Sequence, residues 1–413
     1  MPTNDYETIV IGGGAAGIAA ARRLHASGVN CLLIEARGRL GGRAHTIAAG
    51  GHAIDLGCGW LHSADRNPWS KIAQKLGNKI DQTPPPWAQR PSLPFGFPTD
   101  EQRDFIKALN AFFERVSTAA KGPDGPASDM LEPGCKWNAL IGAINSYISG
   151  AELDQVSLHD LENYRDTEVN WRVVQGYGAA IAAHGAPVPA MLGCPVSAID
   201  HGGPRIKIET SKGVLTADTT IVTLPTSLIA AQNVRFFPAL PEKVDAAAAL
   251  PLGLADKLFL ALDNAEEFPK DSRLFGHHDR SGTGAYHVRP FGRPMIEGFF
   301  GGAHAWHLEA GGERGFYDFA VSELVGILGT DFAKRVKLLA VHPWGQDPLA
   351  RGSYSFAVPG KADCRTKLAA PVDSRLFFAG EACSIHDYST AHGAYFTGIA
   401  AADQVLAARG KRR

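Results

Sequence analysis

The stretch Thr8-Ile9-Val10-Ile11-Gly12-Gly13-Gly14-Ala15-Ala16-Gly17, taken up again at Cys31-Leu32-Leu33-Ile34-Glu35, decides the fold of this chain. Thr8 to Ile11 reads as a buried strand, residues 15–25 as an alanine-rich helix, and Cys31 to Ile34 as a second buried strand ending in an acid. Between the first strand and the helix, Gly12, Gly14 and Gly17 fill the spacing G-x-G-x-x-G. Gly12 permits a tight turn, Gly14 lets the backbone approach a pyrophosphate, Gly17 lets helix pack on strand, and the helix N-terminus attracts the anion. Ala16 sits in that first helical turn, and Glu35, about twenty residues on, is placed to accept hydrogen bonds from a ribose. A glycine-rich turn alone often does no more than close a βαβ loop. Strand, turn, helix, strand and acid in order point to a dinucleotide, and leave NAD and FAD both open.

The rest of the chain bounds the answer. Its 413 residues exceed one ordinary core, so two domains are expected. With 45% hydrophobic and 20% charged residues the chain can bury sizeable cores. A formal charge of -1 gives no reason to expect nucleic acid or an anionic membrane as partner. There is no secretory pattern and no window of the roughly twenty apolar residues that a membrane span needs. Cys31, Cys58, Cys135, Cys194, Cys364 and Cys383 lack C-x-x-C or metal-ligand spacing, so free thiols, a cytoplasmic location and no metal are expected. The basic residues 409–413 read as a frayed, solvated end.

Residues 67–170 change character. A proline-rich stretch, Thr83-Pro84-Pro85-Pro86-Trp87 with Pro91, Pro94 and Pro98, precedes helical patterns at 101–120 and 137–149, as in an insertion that covers a site. From Trp171, Gln175-Gly176-Tyr177-Gly178 and an alanine-rich helix lead to short strands at 195–199, 205–210 and 214–217, then a buried strand at 220–225. A later stretch interleaves Phe275, Tyr286, Phe291, Phe299, Phe300, Trp306 and His307 with strand patterns and a helix near 313–328. A plain hydrophobic core explains most of those aromatics, so none is assigned to a site.

Directly after Glu35 come Ala36-Arg37-Gly38-Arg39-Leu40-Gly41-Gly42-Arg43 and later Asp55-Leu56-Gly57. This resembles the E-A-x-x-R-x-G-G-R run of the flavin-containing amine oxidase superfamily, which includes monoamine oxidases, polyamine oxidases and lysine-specific histone demethylases. The resemblance implies FAD as cofactor and an α/β, two-domain FAD-dependent amine oxidase-like fold. A Rossmann-like FAD-binding domain would take residues 1–66, 171–249 and 340–413, and an α+β substrate-binding domain 67–170 and 250–339. It further implies cofactor contacts from Ala36, Arg37, Gly42, Gly57, Trp60 and Val196. Arg43 would present its planar fork to the pyrophosphate.

Leu250-Pro251-Leu252-Gly253-Leu254-Ala255-Asp256-Lys257-Leu258-Phe259-Leu260 is similar to the family segment whose lysine holds a water bridging to flavin N5. Lys257 is expected in that role; the alternative is a strand-end lysine with its head in solvent. Trp344-Gly345, Gly352-Ser353-Tyr354-Ser355, Phe377-Phe378-Ala379-Gly380-Glu381 and Ala391-His392-Gly393-Ala394 resemble the family's C-terminal pattern. The likeness implies that Trp344, Gly380, Glu381, Thr390 and Ala391 meet the cofactor. Tyr354 would pack beside the substrate, and a turn at Gly393 would present helix amides to the flavin.

Departures narrow the expectation. Ser353 replaces the cysteine that tethers flavin in the mammalian monoamine oxidases, so FAD is non-covalent; Thr390 replaces their second cage tyrosine. Trp60 stands near where L-amino acid oxidases carry a carboxylate-binding arginine. That favours a neutral or cationic amine, unless another arginine takes over. His392 and Tyr388 are weaker pocket candidates. The expected function is FAD-dependent oxidation of a small-molecule amine to an imine by hydride transfer, with imine hydrolysis and reoxidation by O2 to hydrogen peroxide. The alternatives are an isoprenoid desaturase or isomerase, an amine dehydrogenase using a protein electron acceptor, and a non-catalytic FAD-binding protein. The sequence leaves oligomeric state open, a homodimer included.

Overall fold

The computed structural model describes residues 5–88 and 93–410, and two sheets organise them. The first contains β1 (Asp5–Ile11), β2 (Cys31–Ile34), β3 (Ala190–Met191), β4 (Val196–Asp200), β5 (Ile206–Thr210), β6 (Gly213–Val222) and β7 (Arg235–Phe237). Their order is β7-β4-β5-β6-β1-β2-β3, and Leu376–Phe378 adds to β6. β1 runs parallel to both β2 and β6, and Leu376–Phe378 parallel to β6. β2 and the inner half of β1 are apolar on both faces because helices cover both sides, as a parallel core requires. One cover is the helix Ala15–Ala26 packed against the C-terminal helix Ala391–Gly410. Small residues bring these close: a Cβ on Gly398 would sit 2.2 Å from the Ala16 carbonyl oxygen.

The sequence suggests two strands at 214–217 and 220–225, but β6 runs unbroken from Gly213 to Val222. Its polar middle is satisfied across the sheet, where the Thr219 and Thr8 hydroxyls lie 2.9 Å apart. The helix Pro68–Lys75 buries Trp69 and Ala73 in the same core as Ile18, Leu33 and Ile181. This helix, within the stretch of changed composition, thus packs on the dinucleotide-side core. Arg409 also differs from a frayed end: it pairs with Glu7 at 2.5 Å. Pro91 and residues 411–413 lie outside the described residues.

The second sheet is antiparallel, with order β9-β10-β11-β8-β12 for β8 (Ala255–Leu262), β9 (Ser272–Phe275), β10 (Ala285–Val288), β11 (Met295–Gly301) and β12 (Val336–Val341). Alternation along β8 sends Leu258, Leu260 and Leu262 into a core closed by Phe316, Ala320 and Leu324 of the helix Gly312–Leu328. Lys257 therefore points to the opposite face. There the helices Thr99–Ala119 and Asn138–Ser149 pack on each other and on Phe275 through Phe105, Phe112, Trp137 and Ile141. Among the described residues no helix is long and apolar enough to cross a membrane, and no His, Cys, Asp or Glu group has the arrangement of a metal site.

Candidate active site

The glycine turn is built as its spacing requires. Gly12 has φ +106°, and a Cβ on Gly17 would lie 1.8 Å from the Gly12 carbonyl oxygen, so neither position admits another residue cheaply. Gly14 has open space where a Cβ would stand. The helix that follows has neither a side-chain cap nor an acid in its first turn, so its leading N–H groups are free for an anion. Gly42, at φ +60°, comes within 3.2 Å of the Gly14 Cα through its would-be Cβ, stacking the second glycine turn on the first.

These turns open into one cavity of about 900 Å³, near the top of the ~300–1,000 Å³ range of small-molecule sites. It runs from the dinucleotide turns to the face of the second sheet. Lining it are Gly12, Gly14, Ala16, Glu35, Ala36, Arg37, Gly42, Arg43, Gly57, Trp60, Val196, Trp344, Gly380, Glu381, Thr390 and Ala391, together with Lys257, Tyr354 and Tyr388. Two expected residues are not on its wall. Gly17 lies beneath the turn. His392 is buried with Nε2 3.2 Å from Asp387 Oδ1, so it braces the loop before the C-terminal helix instead of facing a substrate. Gly393 is also not the turn: the helix begins at Ala391, capped where Thr390 Oγ1 accepts from the Gly393 N–H. Gly393 is small because a Cβ would meet the Asp387 carbonyl oxygen at 1.9 Å.

Several expected contacts are already engaged within the protein. Glu35 accepts from the backbone N–H of Gly13 (2.5 Å) and of Arg37 (2.8 Å), holding the turn while each oxygen keeps a second lone pair. Arg37 pairs with Asp347 at 2.8 Å. Arg43 donates to the Ser353 carbonyl (2.8 Å) and to Glu381 (2.9 Å), so its charge is balanced from within. Burial would raise the Glu381 carboxyl, but Arg43 and Arg365 outweigh it and hold it low. The Ser353 hydroxyl bonds the Ala255 backbone on both sides.

Lys257 is held, not solvated. Its Nζ donates to Glu297 (3.0 Å) and to the Asp55 carbonyl (3.2 Å), and it lies close to Gly59, where a Cβ would stand 3.0 Å away. From Glu297 the charges continue through His287 (3.8 Å), Asp271 (3.0 Å) and Arg172 (2.8 Å). Tyr354 donates its hydroxyl to the Tyr147 carbonyl, and burial raises that phenol, which keeps it protonated. Tyr388 donates to the Asp160 carbonyl at 2.8 Å, with the Arg365 guanidinium 3.8 Å from its ring centroid.

Several wall residues were not assigned to a site from the sequence. Tyr147, Phe105 and Ile144 come from the insertion helices, and His287 and Phe299 from the second sheet. His62 has Nδ1 2.6 Å from Asn170 Oδ1, and burial lowers it. The Trp60-Leu61-His62 run and the apolar faces of residues 101–120 were the signals available for finding them. Burial also pushes the thiols of Cys31, Cys58 and Cys383 up to about 12, which keeps them inert.

Half-buried histidines held neutral make stability depend on pH. Burial, then the nearby Arg39 and His342, lowers His45 to about 4; burial, then Arg22, lowers His184 to about 4. The unfolded chain takes up protons on these rings below about pH 6.5 and the native chain does not, so stability falls as pH drops from about 6.5 towards 4. Thermal melts are expected to show Tm declining over that window and the decline easing in His184→Gln. A flat or rising Tm there would contradict the burial of neutral rings.

A family model described as flavin containing amine oxidoreductase matches residues 150–406, and one for an NAD(P)-binding Rossmann-like domain matches 10–76. "Polyamine oxidase 3" of Oryza sativa subsp. japonica is 29% identical, over 96% of this chain and 88% of that protein. "Lysine-specific histone demethylase 1 homolog 3" of Oryza sativa subsp. indica is 27% identical over 96% and 54%. Among solved structures, cyclohexylamine oxidase from Brevibacterium oxydans superposes with a TM-score of 0.78 at 22% identity, covering 99% of this chain and 100% of that one. A putrescine oxidase redesigned in its cofactor binding superposes at 0.79 and 18%, covering 98% and 100%.

Proposed function

The chain belongs to the family of flavin containing amine oxidoreductases, and we propose that it oxidises a small-molecule amine at the carbon beside the nitrogen, with O2 as the final acceptor. It is an FAD-dependent oxidoreductase acting on C–N bonds. The observation that carries the finer reading is the single cavity joining the uncapped glycine turn to Lys257 and an apolar wall. When bound, FAD supplies the hydride acceptor and passes the electrons to oxygen, giving hydrogen peroxide.

The donors present suit that cofactor. Gly12, Gly14, Ala16 and Gly42 surround the free helix amides and would receive the pyrophosphate, with Glu35 on a ribose and Val196 beside the base. Arg43, Gly57, Trp60, Trp344, Gly380, Glu381, Thr390 and Ala391 would enclose the ring end. With Ser353 committed to the Ala255 backbone, the association is non-covalent. The dinucleotide unit takes residues 5–75, 171–249 and 340–410, and the other described residues build the substrate side.

An amine must lose its proton before its carbon can give up hydride. Donation from His62 Nδ1 to Asn170 leaves Nε2 as the unprotonated nitrogen, and burial holds that ring neutral, so the cavity wall at His62 carries no positive charge against the amine, which enters in its neutral form. Tyr354 packs beside the substrate, and Tyr388, locked by Asp160 and Arg365, shapes the wall beside it. Phe105, Ile144 and Ile148 of the insertion cover the carbon skeleton and exclude water.

Anaerobic mixing of the yellow holoprotein with primary, secondary, cyclic and polyamines tests this. At least one amine is expected to bleach the flavin, with colour and stoichiometric peroxide returning on admission of air. No bleaching by any amine, or bleaching that air does not reverse, would overturn the oxidase reading.

A further inference from the structure

Three arginines line the cavity, and two are paired: Arg37 with Asp347 and Arg43 with Glu381. The third, Arg273 of β9, has no carboxylate or carbonyl partner for its guanidinium among the described residues. Its Cζ lies 4.1 Å from the Phe275 centroid, and the titratable group that acts on it is the Tyr147 phenol, itself donating to the Thr283 carbonyl at 2.9 Å. Burial lowers the guanidinium to about 10, still charged at neutral pH. A partly buried cation without a carboxylate counter-ion is held less favourably than a paired one. The expense is recovered when an anion enters from the cavity.

Strand register fixes where that anion lies. Arg273 is opposite His287, and His287 opposite Glu297; Phe275 is opposite Ala285, Ala285 opposite Phe299, and Phe299 opposite Lys257. Arg273 and Lys257 thus rise from one face of the sheet, three interstrand steps of about 4.8 Å apart and two residues offset. Between them the face carries Phe299 and Ala285 together with His287 and Glu297, and Ile144 and Ile148 also line the cavity.

The acids of the cavity already have partners within the protein. Glu35 and Glu381 are engaged as described above, and Asp166 accepts through Oδ1 from Ser63 and the Glu168 N–H. Burial and a hydrogen bond with Glu309 push Asp256 well above the usual carboxylate range.

Resting on the oxidase reading of this same cavity, we infer that the substrate is an amine carrying a carboxylate at the far end of an apolar body, and that Arg273 binds that carboxylate. This separates the chain from its polyamine oxidase relatives, because a polyamine's distal cation would meet Arg273. It also supplies from β9 the arginine that Trp60 does not replace.

The experiment compares hexylamine, ω-aminohexanoate and the matching hexane diamine as substrates of the holoenzyme, and titrates hexanoate while following the flavin absorbance. In the wild type, kcat/KM is expected to rank the aminocarboxylate first and the diamine last. In Arg273→Met the ratio of kcat/KM for aminohexanoate over hexylamine is expected to fall about 10–100-fold, and the hexanoate Kd to rise by a similar factor. Arg273→Lys should recover part of both. A diamine preferred by the wild type, or a ratio and Kd unchanged in Arg273→Met, overturns the proposal. If the variant does not fold, the wild-type ranking and hexanoate titration decide alone. Arg273-dependent hexanoate binding with no amine oxidised would sink the oxidase reading and keep the carboxylate site; amine oxidation indifferent to the tail would do the reverse.

Discussion

Replacing Arg365 by methionine is expected to cost about 3–5 kcal/mol of stability, the range for breaking a buried ion pair by removing one partner. Arg365 is wholly buried, with Nε and Nη2 on the two Asp160 oxygens at 2.6 and 2.7 Å and Nη1 on Ser355 Oγ at 2.9 Å. Asp160 would keep only the Ala357 N–H at 2.8 Å, leaving a carboxylate charged and largely unpaired in the core. Urea denaturation of Arg365→Met measures the loss. The double variant with Asp160→Leu should recover much of it, since replacing both members by apolar groups is often near neutral. A loss under about 1 kcal/mol in the single variant would show that the pair is not sealed from water. The consequence reaches the cavity, because Ser355 adjoins Tyr354 and the guanidinium supports the Tyr388 ring.

Lys257→Met is expected to lower turnover about 10²–10³-fold, the usual effect of deleting one preorganised donor at a reacting centre. Two observations raise the lysine above an ordinary strand residue. Its ammonium is tied to Glu297 and the Asp55 carbonyl, and it stands on the wall of the cavity rather than in open solvent. Stopped-flow measurement separates the two halves of the cycle. Reoxidation in air should slow more than anaerobic reduction, and Lys257→Arg should retain part of the rate. Reoxidation at the wild-type rate in Lys257→Met would remove the lysine from the chemistry. The variant also strands Glu297 beside His287, so a Tm measured alongside tells lost chemistry from lost structure.

Much of the dinucleotide unit was legible because its information is local. The turn at Gly12, the packing of Gly17 and the strand at residues 31–34 are set by neighbours within a few dozen positions, and their period and spacing carry them. The substrate side was less legible because its meaning lies in register. Lys257 could be picked out by resemblance, but its pairing with Glu297 exists only once β8 and β11 are aligned, Lys257 opposite Phe299. Arg273 looks like any strand arginine until β9 is placed on the cavity face. His392 was misplaced for a related reason: a helix-start histidine reads the same whether it faces a ligand or turns back to Asp387. The strand β6 reads as two pieces because Asp218 and Thr219 interrupt its apolar run, and the Thr8 hydroxyl across the sheet is the partner that lets it continue.

The C-terminal helix against Ala15–Ala26, and Leu376–Phe378 against β6, also set the order in which this protein can come into being. On the ribosome the fingerprint emerges first, yet Gly380, Glu381 and Thr390 are still more than three hundred codons away. At about 5–20 residues per second that gap lasts on the order of tens of seconds. The nascent β1 and β2 lack the β6 partner until residue 222 has emerged, and lack the C-terminal helical cover for the whole of that gap. Cofactor capture is thus an event of the finished chain, and the interval before it is when the protein depends most on chaperones.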